Sequence, residues 1–272
     1  MLRFLFGAWL ALIACVGHAT VFVVGVPPIH SMRTLAERFA PLRADLEARL
    51  GQPVLLESAA SFADYHARTL AGDFDLAITP AHLARLAQKE RGFQPLAQFH
   101  PDHEALLVYH ARRPLADLQP LRGQRLAVID RLAVTVMASL DYLERRGLAA
   151  DRDFRVVEYR NHAGVARALE AGIAVAGVTS SQGLQQTPES VRAQIKVHAR
   201  LAGIPAFIVM AKPGVTHAEA ARLQGMLLDF ARGQSGRTFL RGVAYDSLTA
   251  ADESSLKRVD AYLKETRGRL AQ

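Results

Sequence analysis

The feature that most constrains this chain is an alternation of short apolar runs with amphipathic segments, repeated three times near its start. TVFVVGV (20–26) is continuous, apolar and rich in β-branched residues, the pattern of a strand buried on both faces. Pro27 and Pro28 end it. From about Thr34 to Leu50, the residues Leu35, Phe39, Leu42, Leu46 and Leu50 fall on one helical stripe, and Gly51 supplies the stop. PVLLES, SFADYHARTLAG, DLAIT and PAHLARLAQK then read as strand, helix, strand and helix. The order βαβαβα predicts an α/β fold with a mostly parallel sheet and helices on its faces.

After Phe99 the pattern changes. EALLVYHA reads as a long connecting strand and ARRPLADLQPLRG as a polar connection. The alternation resumes with RLAVI, VMASLDYLERRG, DFRVVEY, HAGVARALEAG and IAVAGVTS. A further helical piece leads to IKVHARLAG, and IPAFIVMA gives a returning strand. Three helical segments follow, THAEAARLQGMLLDFARG, SGRTFLRGV and ADESSLKRVDAYLKETRGRL. The expected organisation is one lobe from residues 20–106 with 207–272 and a second from 107–206, crossed twice by the chain. Ligand clefts favour such interfaces.

Residues 1–19 read as a secretory signal peptide: basic Arg3, an apolar run from Phe4 to Ala14, and small residues at Gly17-His18-Ala19. A competing reading takes Leu12-Ile13-Ala14-Cys15 as a lipobox. It would leave a lipid anchor almost no tether before the strand at Val21, so cleavage after Ala19 is favoured. Both readings place the chain outside the cytoplasmic membrane, in the periplasm. Cys15 is the only cysteine, which excludes an intramolecular disulfide and a cysteine-based metal site. The formal charge is +7, one less once Arg3 is gone. Its basic residues are spread out and not interleaved with aromatics, which argues against nucleic acid.

Several segments, in order, resemble the periplasmic phosphate/phosphite/phosphonate-binding proteins of ATP-driven importers. They are VFVVGVPP, ERFAPLRADLEARLGQPVLL, GDFDLAITPAHLARLAQ, LRGQRLAVID, HAGVARALEAG, VAGVTSSQGL and LAGIPAFIVMAKPGV. The resemblance covers nearly all of the chain beyond the leader. It implies a two-lobed periplasmic binding protein, type II-like, that closes on its ligand by a hinge. Such relatives show Asp-Pro-x-Ser-Thr-Ser-Gly at a strand-to-helix junction of the second lobe, where hydroxyl and N–H groups hold an oxyanion. Here the junction is Asp130-Arg131-Leu132-Ala133-Val134-Thr135-Val136, so Ala133 and Val134 stand where two hydroxyls are expected and Thr135 keeps the third. The resemblance also places His82 near a family tyrosine, His162 at a family histidine and Val175 at a family carboxylate. Thr79 and Thr179 end strand patterns and would face the cleft, since ligands of open α/β sheets bind outside the carboxyl ends of strands.

Two lost hydroxyls would weaken phosphate binding by orders of magnitude, at roughly 1.5–3 kcal/mol per charged hydrogen bond. A less charged or partly apolar ligand is expected, with Thr79, His82, Ala133, Val134, Thr135, His162 and Thr179 around it. His82 could instead be a solvated helix residue, His162 a surface or capping histidine, and Thr135 a helix cap. His100-x-x-His103 with His110 invites a metal reading, but Asp102 and Glu104 are the only nearby carboxylates and a metal site is not expected. Ser180-Ser181 lacks the context of a hydrolase nucleophile, and Asp73 and Asp75 read as turn and solubility charge. The expectation is a monomeric solute-binding protein without cofactor or catalytic site. Its partner is an ABC-transporter permease or, alternatively, a membrane sensor kinase or cyclase.

Overall fold

The structure, a computed structural model, describes residues 21–271, so the expected leader and Cys15 lie outside the described residues. The first part of the chain runs β1 (Phe22–Gly25), α1 (Met32–Leu50), β2 (Val54–Glu57), α2 (Phe62–Ala71), β3 (Leu76–Pro80), α3 (Ala81–Arg91) and β4 (Gln94–His100). It continues through β5 (His103–His110), β6 (Arg125–Val128), α4 (Val134–Glu144), β7 (Arg155–Glu158), α5 (His162–Glu170), β8 (Ala176–Ser180), α6 (Ser181–Gln185), α7 (Glu189–Arg192) and β9 (Ile195–Ile204). It ends with β10 (Phe207–Ala211), α8 (His217–Arg232), α9 (Gln234–Gly242), β11 (Ser247–Ala250), α10 (Glu253–Lys257) and α11 (Leu263–Leu270).

Two mixed sheets result, ordered β11-β4-β10-β3-β1-β2 and β7-β6-β8-β5-β9. Strands β1, β2 and β3 pair in parallel, as do β6, β7 and β8, while β10 and β5 run antiparallel to their neighbours. The chain changes sheets between His100 and His103, ahead of the expected boundary at 106/107, and again between Ile204 and Phe207.

Helices cover both faces of each sheet. The stripe Leu35, Phe39, Leu42 and Leu46 of α1 packs on the first sheet with Leu227 and Phe230 of α8 and Phe239 of α9. The opposite face carries Tyr65 of α2 and Ala81, Ala84 and Ala87 of α3. Val136, Leu140 and Leu143 of α4 cover one face of the second sheet, and Val165, Ala168 and Leu169 of α5 the other. Gly51 caps α1 with φ 68°, a left-handed conformation that costs glycine little.

The structure departs from the sequence reading in four places. QPLAQFH forms β4, although Pro95 interrupts its pattern, and the four-residue edge strand β11 lies where no strand is expected. The last helical segment is broken into α10, a 3-10 turn at Asp260–Tyr262 and α11, which brings Asp260 to 2.8 Å from buried Arg85. Asp75 does more than carry surface charge, because its carboxylate accepts the N–H of Val23 at 2.8 Å and pairs with Lys212 at 2.6 Å. No helix among the described residues is long and apolar enough to cross a membrane.

Candidate functional site

The carboxyl ends of β1, β3, β6 and β8 converge between the sheets, the place where open α/β sheets bind ligands. They deliver Pro27, Ile29 and His30, then Ile78 and Pro80, then Ile129 and Ala133, and finally Ser180, Gln182 and Gly183 to one cavity of about 60 Å³. Phe39 of α1, Phe99 of β4, His103 of β5 and Phe207 of β10 complete its walls with Val243 and Tyr245. Among the described residues that line it there is no Lys, Arg, Asp or Glu. A wider cleft of about 730 Å³ adjoins it, and the two share Ile29, His30, Phe62, Ile129 and His162.

The seven residues expected here from sequence are placed unevenly. Ala133, Val134, Thr135 and His162 line the cavity. Ala133 is the N-cap of α4 and offers no side-chain bond, while Thr135 sits inside the helix and caps nothing. The N–H groups of Val136 and Met137 turn back to the carbonyl of Ala133, whereas the first N–H groups of a helix have no intrahelical partner. Those donors are what an anion could use here. Thr179 is set back from the cavity, with its hydroxyl 2.8 Å from Nδ1 of His162. Thr79 is fully buried and its hydroxyl has no partner. It faces away because Ile78 and Pro80, one residue to either side, point inward, and successive strand residues alternate faces.

His82 is not a solvated helix residue. It is fully buried, and its Nε2–H donates to the carbonyl of Leu132 at 2.9 Å, joining α3 to the loop before α4. Val175 packs against the core of the second sheet. Asn161, not His162, caps α5, its side chain accepting the N–H of Gly164 at 2.9 Å.

Burial keeps the site's imidazoles neutral. It lowers the pKa of His162 to about 3, reinforced by His30 and His103. It lowers His30 to about 4, with Arg38 adding to the effect, and His103 to about 4 against the opposing charge of Asp102. His103 Nε2 lies 2.5 Å from the Tyr245 hydroxyl, and burial drives that phenol's pKa well up. The histidines singled out in sequence diverge. His100 bonds Thr249, His103 bonds Tyr245, and His110 accepts the N–H of Arg112.

The cavity also uses residues that the sequence reading did not assign to it. His30 follows β1 at the carboxyl end of the sheet, a position that could have flagged it. Phe99, Phe207 and the stretch carrying Val243 and Tyr245 come from distant segments, and no spacing links the three.

Two α/β lobes around a cleft at the carboxyl ends of their strands define a two-lobed solute-binding protein. The model of the family described as ABC transporter, phosphonate, periplasmic substrate-binding protein matches residues 24–256, and the chain belongs to that family. Similar solved structures include a binding protein component of an ABC phosphonate transporter from Pseudomonas aeruginosa, with 16% identity, TM-score 0.78, and coverage of 92% of this chain and 95% of that one. PhnD1 from Prochlorococcus marinus in complex with methylphosphonate is 13% identical, with TM-score 0.76 and coverage of 92% and 98%. A Xanthomonas citri protein bound to chloride ion is 19% identical, with TM-score 0.75 and coverage of 92% and 99%. No curated protein sequence matches the chain.

Proposed function

We propose that this protein is the monomeric, non-enzymatic solute receptor of an ABC importer and that its solute is a small organic molecule with an apolar body and at most one negative charge. Family membership supports the role of solute receptor for an ABC importer. The second half rests on the cavity wall, which the described residues build from aliphatic and aromatic side chains, neutral imidazoles, hydroxyls and amides. Burying a phosphate dianion against such a wall would leave charge without a cation, at a cost of several kcal/mol. A monoanionic head could instead be met by the α4 N-terminus and the hydroxyls of Thr135 and Ser180, with its body against Phe39, Phe99 and Phe207. The lobes on either side of residues 101–102 and 205–206 would enclose it.

The test is calorimetric titration of inorganic phosphate, methylphosphonate and short alkyl or aryl sulfonates and carboxylates. Affinity should increase with apolar body size and be weakest for phosphate. Tightest binding of phosphate would overturn this reading.

A further inference from the structure

The loop that precedes α4 does more than border the cavity. Leu132 belongs to the second lobe, yet its side chain is buried between Phe62 and Leu83 of the first, with Ile29 and Leu270 packed around them. The backbone carbonyl of the same residue accepts the Nε2–H of His82 at 2.9 Å. Two residues earlier, the half-buried Asp130 carboxylate accepts the N–H of Leu132 at 2.7 Å and is approached by the N–H of Phe62 at the first turn of α2. An apolar plug, a backbone hydrogen bond and a carboxylate at a helix start thus cross the cleft together, and the chain itself supplies all three.

We propose that Leu132 is a built-in closing residue, so that the loop Asp130–Ala133 holds the lobes shut without a solute. The consequence is a receptor that is closed at rest and must open before a solute enters. It differs from one that a solute pulls shut. The inference is independent of which solute is bound.

Other groups meet this loop. Glu158 accepts the N–H of Arg131 at 2.8 Å, and Arg131 pairs with Asp151, all within the second lobe. Arg269 of the first lobe is near enough to act electrostatically on Asp130. A second crossing, in which Arg38 donates to Gln186 and Gln186 to the carbonyl of Val243, is polar and lies apart from the plug.

Spin labels on Met32→Cys and Arg160→Cys report closure, because these exposed residues line the wider cleft from opposite lobes. The labelled chain, without its leader, is unfolded in guanidinium and refolded to strip any carried molecule, and circular dichroism verifies refolding of every variant. Double electron–electron resonance should then give a single short distance for the wild-type sequence and for Leu132→Met. Leu132→Ser should lower the closed-to-open ratio roughly ten- to a hundredfold, the factor expected from exposing a buried leucine. A stripped wild-type protein that is already open overturns the proposal. So does a folded Leu132→Ser that keeps the short distance, or a Leu132→Met that opens as fully as serine. Failure of the solute titration above would leave all of these outcomes unaffected.

Discussion

The Thr179 hydroxyl lies 2.8 Å from Nδ1 of His162, so the end of β8 fixes the ring that begins α5. On the other side, Gly183 of α6 lies so close that an added Cβ would sit 2.4 Å from the ring carbon Cγ of His162. The imidazole is therefore held from two sides, and the two contacts predict different variants. Thr179→Val keeps the shape and leaves Nδ1 unpaired, which should cost about 1–3 kcal/mol in urea unfolding. An unchanged midpoint would mean that water replaces the hydroxyl.

Gly183→Ala should act on binding. Its methyl pushes the ring off its present position, and a hydrogen bond lost to the solute is worth about two- to tenfold in affinity. The comparison is made with the tightest ligand found for the wild type. Equal affinities would show that His162 makes no contact with it.

Restoring the missing hydroxyls separates two effects. Ala133 is an N-cap without a side-chain acceptor, so Ala133→Ser should stabilise the protein by about 0.5–2 kcal/mol through capping alone. Its O–H, like that of Val134→Thr, would remain free to donate to an anion. Together the two substitutions should raise methylphosphonate affinity by about tenfold or more per hydroxyl, at about 1.5–3 kcal/mol per charged hydrogen bond. If the double variant is more stable but binds methylphosphonate no better, the loop is not the anion clamp of this chain.

Acid should destabilise the fold through histidines outside the cavity. Burial lowers His66 to about 4 and His82 to about 3, whereas both gain a proton near 6.5 in the unfolded chain. Below 6.5 the unfolded state therefore binds more protons, and the stability present above 6.5 is lost as pH falls toward 4. At pH 5.5 each ring accounts for about 1.4 kcal/mol, so these two rings alone should contribute a loss of about 3 kcal/mol in urea unfolding relative to pH 7.5. His103, His30 and His162 act in the same direction, and Asp130, whose pKa burial raises, opposes them only nearer the carboxylate range. Stability that is flat over this interval would contradict the burial of these rings.

Much of the fold was legible because its central strands are unbroken β-branched runs and its helices carry clean stripes, as at Leu35, Phe39, Leu42 and Leu46. β4 and β11 were not, since one contains Pro95 and the other is a four-residue edge whose last two residues are exposed. The strand-to-helix junctions that build the site were legible too, because they follow strand ends. What the sequence could not show is which of two adjacent residues turns inward. A strand reverses faces at every residue, so Thr79 and Ile78 are equally good candidates until packing decides. Leu132 stayed hidden for a different reason: its partners Phe62 and Leu83 lie in other elements, and no local period connects them.

Thr79 turns that ambiguity into an experiment. Its hydroxyl is fully buried without a partner, and its side chain points away from the cavity. A buried unpaired hydroxyl costs about 1–3 kcal/mol, while an apolar group of the same shape incurs no such penalty. Thr79→Val should therefore be neutral or stabilise the protein by about 1 kcal/mol and leave solute affinity unchanged. Ile78→Ala, which opens the cavity wall, should instead destabilise it by about 2–5 kcal/mol and alter solute selectivity. The pair is read by urea unfolding and calorimetry side by side. Loss of solute binding in Thr79→Val with normal stability would place the threonine in the cleft and reverse the face assigned to β3.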